Sequence, residues 1–214
     1  MERYDQLAAT VRQRPPRLGG VRLVAVDGPA GAGKSTFAGR LAAALRAGGD
    51  RVAEIHTDDL LDGWTDQVAF WPRLERWVLA PLRCEAPGRY RVYDWHRKQF
   101  GHRWHPVEVP DVLIVEGVTA ARRAIRPELT LAVFVTAEPA VRLQRGLERD
   151  GEALRAEWLR WMAGEERHFA ADATAEHVDL IVDGAPTMSH DPAAQFVRRP
   201  RPDAYPVDPT GDAG

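Results

Sequence analysis

Val21-Arg22-Leu23-Val24-Ala25-Val26-Asp27-Gly28-Pro29-Ala30-Gly31-Ala32-Gly33-Lys34-Ser35-Thr36 decides the fold class. Its first six residues form an apolar run broken only by Arg22, the pattern of a buried strand. The octet beginning at Gly28 and ending at Ser35 satisfies G-x-x-x-x-G-K-[ST] at every position. In a chain of this composition such a match arises by chance on the order of once in a thousand. Downstream, Phe37, Leu41 and Leu45 recur at helical spacing. A strand, a glycine-rich turn and a helix in that order make a loop whose successive backbone N–H groups converge on one phosphate, at the positive end of the helix. Gly28, Ala30, Gly31, Ala32 and Gly33 supply that cradle. Lys34 is placed to bridge the outer phosphates, Ser35 to offer its hydroxyl to Mg²⁺ and Thr36 to bond the inner phosphate.

A metal-bound triphosphate also needs a carboxylate at the carboxyl end of a neighbouring strand, where ligands of open α/β sheets sit. Glu116 directly follows the apolar run Val112-Leu113-Ile114-Val115, and Asp58 and Asp59 follow a second strand pattern ending at His56. Each acid taken alone is also a reasonable helix cap or loop acid. Further strand patterns lie at 89–93, 131–135 and 178–182. Between the last two, Ala140, Leu143 and Leu147 share one helical face and Leu154, Trp158, Trp161 and Met162 another, with Gly151 between. Strands alternating with helices predict a doubly wound, mostly parallel sheet of the α/β class.

The 214-residue chain fits one domain at 21–184, preceded by an N-terminal helix and linker over 1–20 that Pro15-Pro16 stops. After Gly184 apolar periodicity ends, and 185–214 is expected to be poorly ordered. A net charge of -2 offers no broad attraction to nucleic acid or to an anionic membrane. The single cysteine, Cys84, cannot close an internal disulfide, and without an apolar leader or span pattern the expected compartment is the cytoplasm. The chain lacks asparagine, which excludes the Asn-Lys-x-Asp guanine-reading motif and the protein-kinase catalytic loop as usually written.

On the phosphate loop, His56-Thr57-Asp58-Asp59, Tyr93-Asp94-Trp95, Val115-Glu116-Gly117 and Arg142-Leu143-Gln144-Arg145 followed by Arg149-Asp150, the sequence resembles the uridine kinase-like branch of P-loop kinases. That branch includes nucleoside, nicotinamide riboside, pantothenate and phosphoribulose kinases. The resemblance implies a nucleoside-kinase-type P-loop fold with a helical lid at about 142–165, using ATP and Mg²⁺. It implies Asp58 as the acid that accepts the acceptor's proton near the metal, Glu116 as the acid of the Mg²⁺ shell, and Arg145 and Arg149 as lid arginines. Tyr93 and Trp95 correspond to a segment lining the nucleoside site, and Asp59, His96 and Arg97 are grouped with them as candidate acceptor contacts. The chain departs from uridine kinases after the second strand, where Asp58-Asp59-Leu60-Leu61 replaces Asp-Ser-Phe-Tyr.

The leading expectation is a kinase acting on a hydroxyl of a small molecule, a nucleoside such as uridine or cytidine first, with homo-oligomerisation open. A nucleoside-monophosphate kinase would need arginines for the acceptor's phosphate, and Arg73, Arg76, Arg91 or Arg97 would supply them. An ATPase or switch module without an acceptor is the third reading. His96, His102 and His105 lack the cysteine partners of a zinc site and read as loop or ligand-contacting residues. Trp71, Leu74 and Val78 fall at helical spacing and read as core.

Overall fold

The computed structural model describes residues 1–200. In chain order, β1 (Glu2–Arg3) leads into α1 (Tyr4–Gln13), then β2 (Arg22–Asp27), α2 (Lys34–Ala47) and β3 (Val52–His56). A 3-10 turn, Thr57–Leu60, follows β3. Next come α3 (Trp71–Leu74), a π-helical turn (Glu75–Leu79) and α4 (Ala80–Arg83). Pro81 has no N–H to continue an α-helical ladder, which gives a physical reason for the wider turn before it. Four short strands, β4 (Gly88–Tyr90), β5 (Tyr93–Asp94), β6 (Gln99–Phe100) and β7 (His105–Val107), precede β8 (Val112–Glu116) and β9 (Leu129–Thr136). The described residues end with α5 (Pro139–Asp150), α6 (Arg155–Asp172), β10 (Leu180–Asp183) and β11 (Gln195–Arg199).

The main sheet has the order β1-β11-β10-β9-β2-β8-β3. Pairing is parallel from β10 through β3 and antiparallel at β11 and β1. Strand alternation divides each central strand between two cores. Leu23, Ala25, Leu113 and Val115 face Leu74, Val78, Leu82 and Trp161, whereas Val24, Val26 and Ile114 face Phe37, Leu41 and Leu45 of α2. Both faces are therefore covered, as the near-continuous apolar runs require. Among the described residues no helix is long and apolar enough to cross a membrane.

Three sequence expectations need correction. The pattern at 89–93 does not enter the main sheet: Gly88–Tyr90 pairs with β7, and Tyr93–Asp94 with β6, as two separate small hairpins. The tail is not uniformly without structure, because Gln195–Arg199 pairs with β10 and β1. Phe196 is the reason: its ring lies 5.2 Å from Tyr4 and 5.3 Å from Phe37, which anchors a strand too short to show apolar alternation. Residues 201–214 of that expected tail lie outside the described residues. On α5 the apolar stripe is not the buried one, since Ala140 is exposed and Leu143 and Leu147 are half-buried, while Arg142 and Gly146 face inward.

Gly146 is where α5 meets α6. A Cβ there would lie 2.5 Å from the Trp158 ring, so α5 and α6 approach over a missing side chain. Gly146→Ala should destabilise the protein by about 1–3 kcal/mol through overpacking. Gly39→Ala, on an open stretch of α2, should stabilise it by about 0.5–1 kcal/mol. Thermal melts of both variants check these opposite signs.

Candidate active site

The loop between β2 and α2 lies at the carboxyl edge of the sheet, with β8 and β9 on either side of β2. Gly28 has φ +134°, and a Cβ there would fall 2.0 Å from the Val135 carbonyl oxygen, so only glycine permits this turn against β9. Gly33 caps α2, whose first residue, Lys34, is buried and donates to the Pro29 carbonyl at 3.1 Å. Ala32 is buried, and Ser35 and Thr36 are exposed on the first turn of α2.

Glu116 at the end of β8 receives two donors on one oxygen: the Ser35 hydroxyl at 2.8 Å and His56 Nδ1 at 2.6 Å. The phosphate loop, β3 and β8 therefore meet at one carboxylate. Burial alone would raise its pKa, but the His56 bond, the Lys34 charge and the Ser35 bond together hold it below the ordinary value. His56 in turn is raised, first by its bond to Glu116. His56 stands in the motif His56-Thr57-Asp58-Asp59, but its pairing with Glu116 depends on the register of β3 beside β8, where the two residues are partners.

Asp58 and Asp59 sit on the 3-10 turn and diverge. Asp58 is exposed at its surface, yet the surrounding protein mass and Glu116 raise its pKa against the opposing charges of Lys34, Arg149 and His56. Asp59 is half-buried, and its pKa is raised by burial and by Asp58, with His56 and His105 opposing. Both acids share the field of His56 and Glu116; Asp58 also feels Lys34 and Arg149, and Asp59 also feels His105 of β7. Gly117, with φ +140°, lets the chain turn past this segment, because a Cβ would meet Thr57 Oγ1 at 1.8 Å.

Arg145 reaches the loop itself, donating to the carbonyls of Gly31 and Gly184 at 3.1 Å each. Arg149 pairs with Asp150 at 2.8 Å and lies over the Trp158 ring at 5.6 Å. Tyr93 is buried and packs against Trp95 and Phe100, each at 5.3 Å, while Trp95 is half-buried and meets Trp64 at 5.7 Å. His96 and Arg97 are exposed beside the β5/β6 hairpin, where their backbone N–H groups donate to Asp94. Among the described residues no hydrogen bond or ion pair joins these two side chains to Asp58, Asp59 or the loop.

Two buried carboxylates escaped the sequence reading. Asp27 is fully buried and accepts the N–H groups of Gly28 at 2.6 Å, Thr119 at 2.9 Å and Ala121 at 2.8 Å. Burial nevertheless pushes its pKa up to about 6 against these bonds and the Lys34 charge. The available signal was an acid ending an apolar strand immediately before the loop. Glu165 of α6 is also buried; it pairs with Arg142 and accepts the Ala30 N–H at 2.8 Å. Nothing in the α6 sequence pattern marks that contact, which joins residues 135 apart in the chain.

Glycine backbone, loop amides and Lys34 form a cradle suited to a nucleotide polyphosphate, and Ser35 with Glu116 offers oxygen donors to a divalent ion. Among the described residues no cluster of three or more His, Cys, Asp or Glu side chains forms a metal cage.

Fold and loop together define a P-loop nucleotide-binding domain. Residues 24–168 match the AAA domain family, and the chain belongs to that family. No curated protein matches the sequence. Among solved structures, one described as a possible uridine kinase from Bacillus stearothermophilus is similar, with 19% identity and a TM-score of 0.62 over 83% of this chain and 96% of that one. Another, provisionally described as a fructose transport system kinase from Silicibacter sp. TM1040, has 22% identity and a TM-score of 0.64 over 80% of this chain and 96% of that one. The chain thus has the fold of uridine kinase-like P-loop kinases.

Asp27 yields a pH prediction. Its native pKa of about 6 exceeds the ordinary 3.8, so the native state holds the proton more tightly than the unfolded state. This group's contribution is largest below the unfolded pKa and falls as pH rises through about 6. Compared with Asp27→Asn, the wild type should lose on the order of 2 kcal/mol between those limits. Urea unfolding of both proteins across that range checks it.

Proposed function

We propose that this chain is an ATP- and Mg²⁺-dependent kinase that transfers a phosphoryl group to a hydroxyl of a small molecule, with a nucleoside the leading acceptor. The observation carrying this reading is the meeting of Lys34, Ser35, Glu116, His56 and Asp58 at one sheet edge. The two structural neighbours named above are described as a possible uridine kinase and, provisionally, a fructose transport system kinase, descriptions in keeping with a small hydroxyl-bearing acceptor.

ATP with Mg²⁺ supplies an activated phosphoryl group whose charge the metal partly neutralises. Loop amides and Lys34 orient the phosphates, while the Ser35 hydroxyl and the Glu116 carboxylate hold the ion. Asp58 accepts the acceptor's proton on its carboxylate, a role favoured by a raised pKa and an exposed position beside the Lys34 charge. Arg145 supports the loop backbone, and Arg149, which shares the field of Asp58, supplies positive charge from the lid. Asp59 and the half-buried rings of Trp95 and Trp64 form the acceptor side, with Tyr93 packed behind them. Positioning and charge neutralisation account for this catalysis without a covalent enzyme intermediate.

ADP release should require an added acceptor, and a panel of nucleosides and sugars read by product mass identifies it. ATP turnover independent of every acceptor would replace the kinase reading with that of an ATPase. Lys34→Ala should lower kcat at least about 10²-fold with the fold retained. Asp58→Asn should lower kcat about 10²-fold with ATP binding retained, and Asp59→Asn far less. Steady-state kinetics of the pair decide the assignment; a mild Asp58 effect beside a severe Asp59 effect reverses it.

A further inference from the structure

The β4/β7 hairpin has two faces. Tyr90 stands opposite His105 in the ladder, and both act electrostatically with Asp59. Strand alternation turns Arg89, and continuing the same register Arg91 and Trp104, to the other side. There Trp77 meets Phe100 at 5.8 Å and Trp104 at 5.3 Å, both edge to face. Arginines cover these rings. Arg89 lies 4.8 Å and Arg91 5.1 Å from the Trp104 centroid, Arg91 lies 5.9 Å from both Trp77 and Phe100, and Arg76 lies 5.9 Å from Trp77.

Elsewhere many guanidinium groups pair with carboxylates: Arg51 with Asp111, Arg83 with Glu75 and Glu128, Arg126 with Asp172. Arg73, over Phe100 at 5.3 Å, pairs with Asp66. Among the described residues Arg76, Arg89 and Arg91 have no ion pair and donate no side-chain hydrogen bond. The Nε of Arg91 is buried without a partner. Because Arg89 and Arg91 share one ring, their charges lie within about one Debye length of each other. Cation–π attraction to these rings restrains the guanidinium groups without using up their N–H donors.

Such edges match the oxygens of phosphate and carboxylate groups, and three neighbouring unpaired cations favour an anion of more than one charge. Preorganisation by the rings reduces the entropy lost on binding. The chain's net charge of -2 lacks the broad positive field that a nucleic-acid backbone calls for, which favours a small anion. We propose that this face of the hairpins binds a small phosphate-class anion, a phosphomonoester or pyrophosphate group, at a site separate from the phosphate loop. An occupant there bears on the hairpin that carries Tyr90 and His105 toward Asp59, and it does so whether or not the chain is a kinase.

The test is calorimetric titration of the full chain carrying Lys34→Ala, which weakens the loop site, with pyrophosphate and separately with glycerol 3-phosphate. At least one probe should bind, and adding Arg89→Gln and Arg91→Gln should weaken it at least about tenfold. Preference for pyrophosphate or for glycerol 3-phosphate tells a polyphosphate from a phosphomonoester source, and either supports the site. Arg89→Gln alone, at an exposed position, replaces the pair if the double substitution lowers Tm. Absence of binding by either probe in the Lys34→Ala protein, binding unchanged by Arg89→Gln, or binding of an oligonucleotide with neither small anion overturns the proposal. None of these outcomes depends on ATP turnover, so failure here leaves the kinase reading standing, and the reverse also holds.

Discussion

The carboxylate of Asp27 is the constraint on which the site rests. It lies out of water at the end of the central strand and is bonded to backbone N–H groups of two different loops, one beginning at Gly28 and one containing Thr119 and Ala121. Removing a carboxylate from water is unfavourable unless hydrogen bonds replace hydration, and here the replacements come from the segments that must stay in register. Thr119 adopts φ +72°, an uncommon conformation for a threonine, while its N–H points at Asp27. Glu116 ends the adjacent strand, so bracing the following loop also fixes where Glu116 stands relative to Ser35.

A second carboxylate braces the phosphate loop from outside. Glu165 takes the Ala30 N–H and pairs with Arg142, whose Nε donates to the Ala137 carbonyl at 3.1 Å. A buried ion pair is weak evidence for stability, because desolvation offsets much of its attraction. Its consequence here is geometric: both α5 and α6 bear directly on residues of the loop. Gly31 completes the contact, since a Cβ there would lie 2.6 Å from the Arg142 carbonyl oxygen. Movement of α5 or α6 is therefore coupled to loop geometry through direct contacts.

The region of the β4–β7 hairpins is built on a different principle. Aromatic rings and arginines dominate, and few backbone ladders hold it, because β4 to β7 form only two short hairpins. Trp64 joins this region to the lid by packing against Trp158 at 6.2 Å and Trp161 at 5.8 Å. Contacts of this kind are set by ring shape and can be rearranged without breaking the sheet, whereas the phosphate side is fixed by main-chain hydrogen bonds.

What the sequence determined by itself follows from local rules. The strand, the glycine loop and the helix at 21–47 are specified by apolar runs, by glycine's conformational freedom and by helical spacing, all contained within one short segment. The positions of Glu116 and Asp58 at one sheet edge were legible because Glu116 ends one strand and Asp58 lies just past another, and a parallel sheet brings strand ends to one edge. Tertiary structure alone decided the rest. His56 meets Glu116 through register, Glu165 meets Ala30 across 135 positions, and Phe196 becomes core because Tyr4 and Phe37 converge on it. The apolar stripe of α5 misled for the same reason: Gly146 and Arg142 face inward because Trp158 and the phosphate loop occupy that side. Periodicity reports which face of a helix is apolar, but only the packed neighbours decide which face is buried.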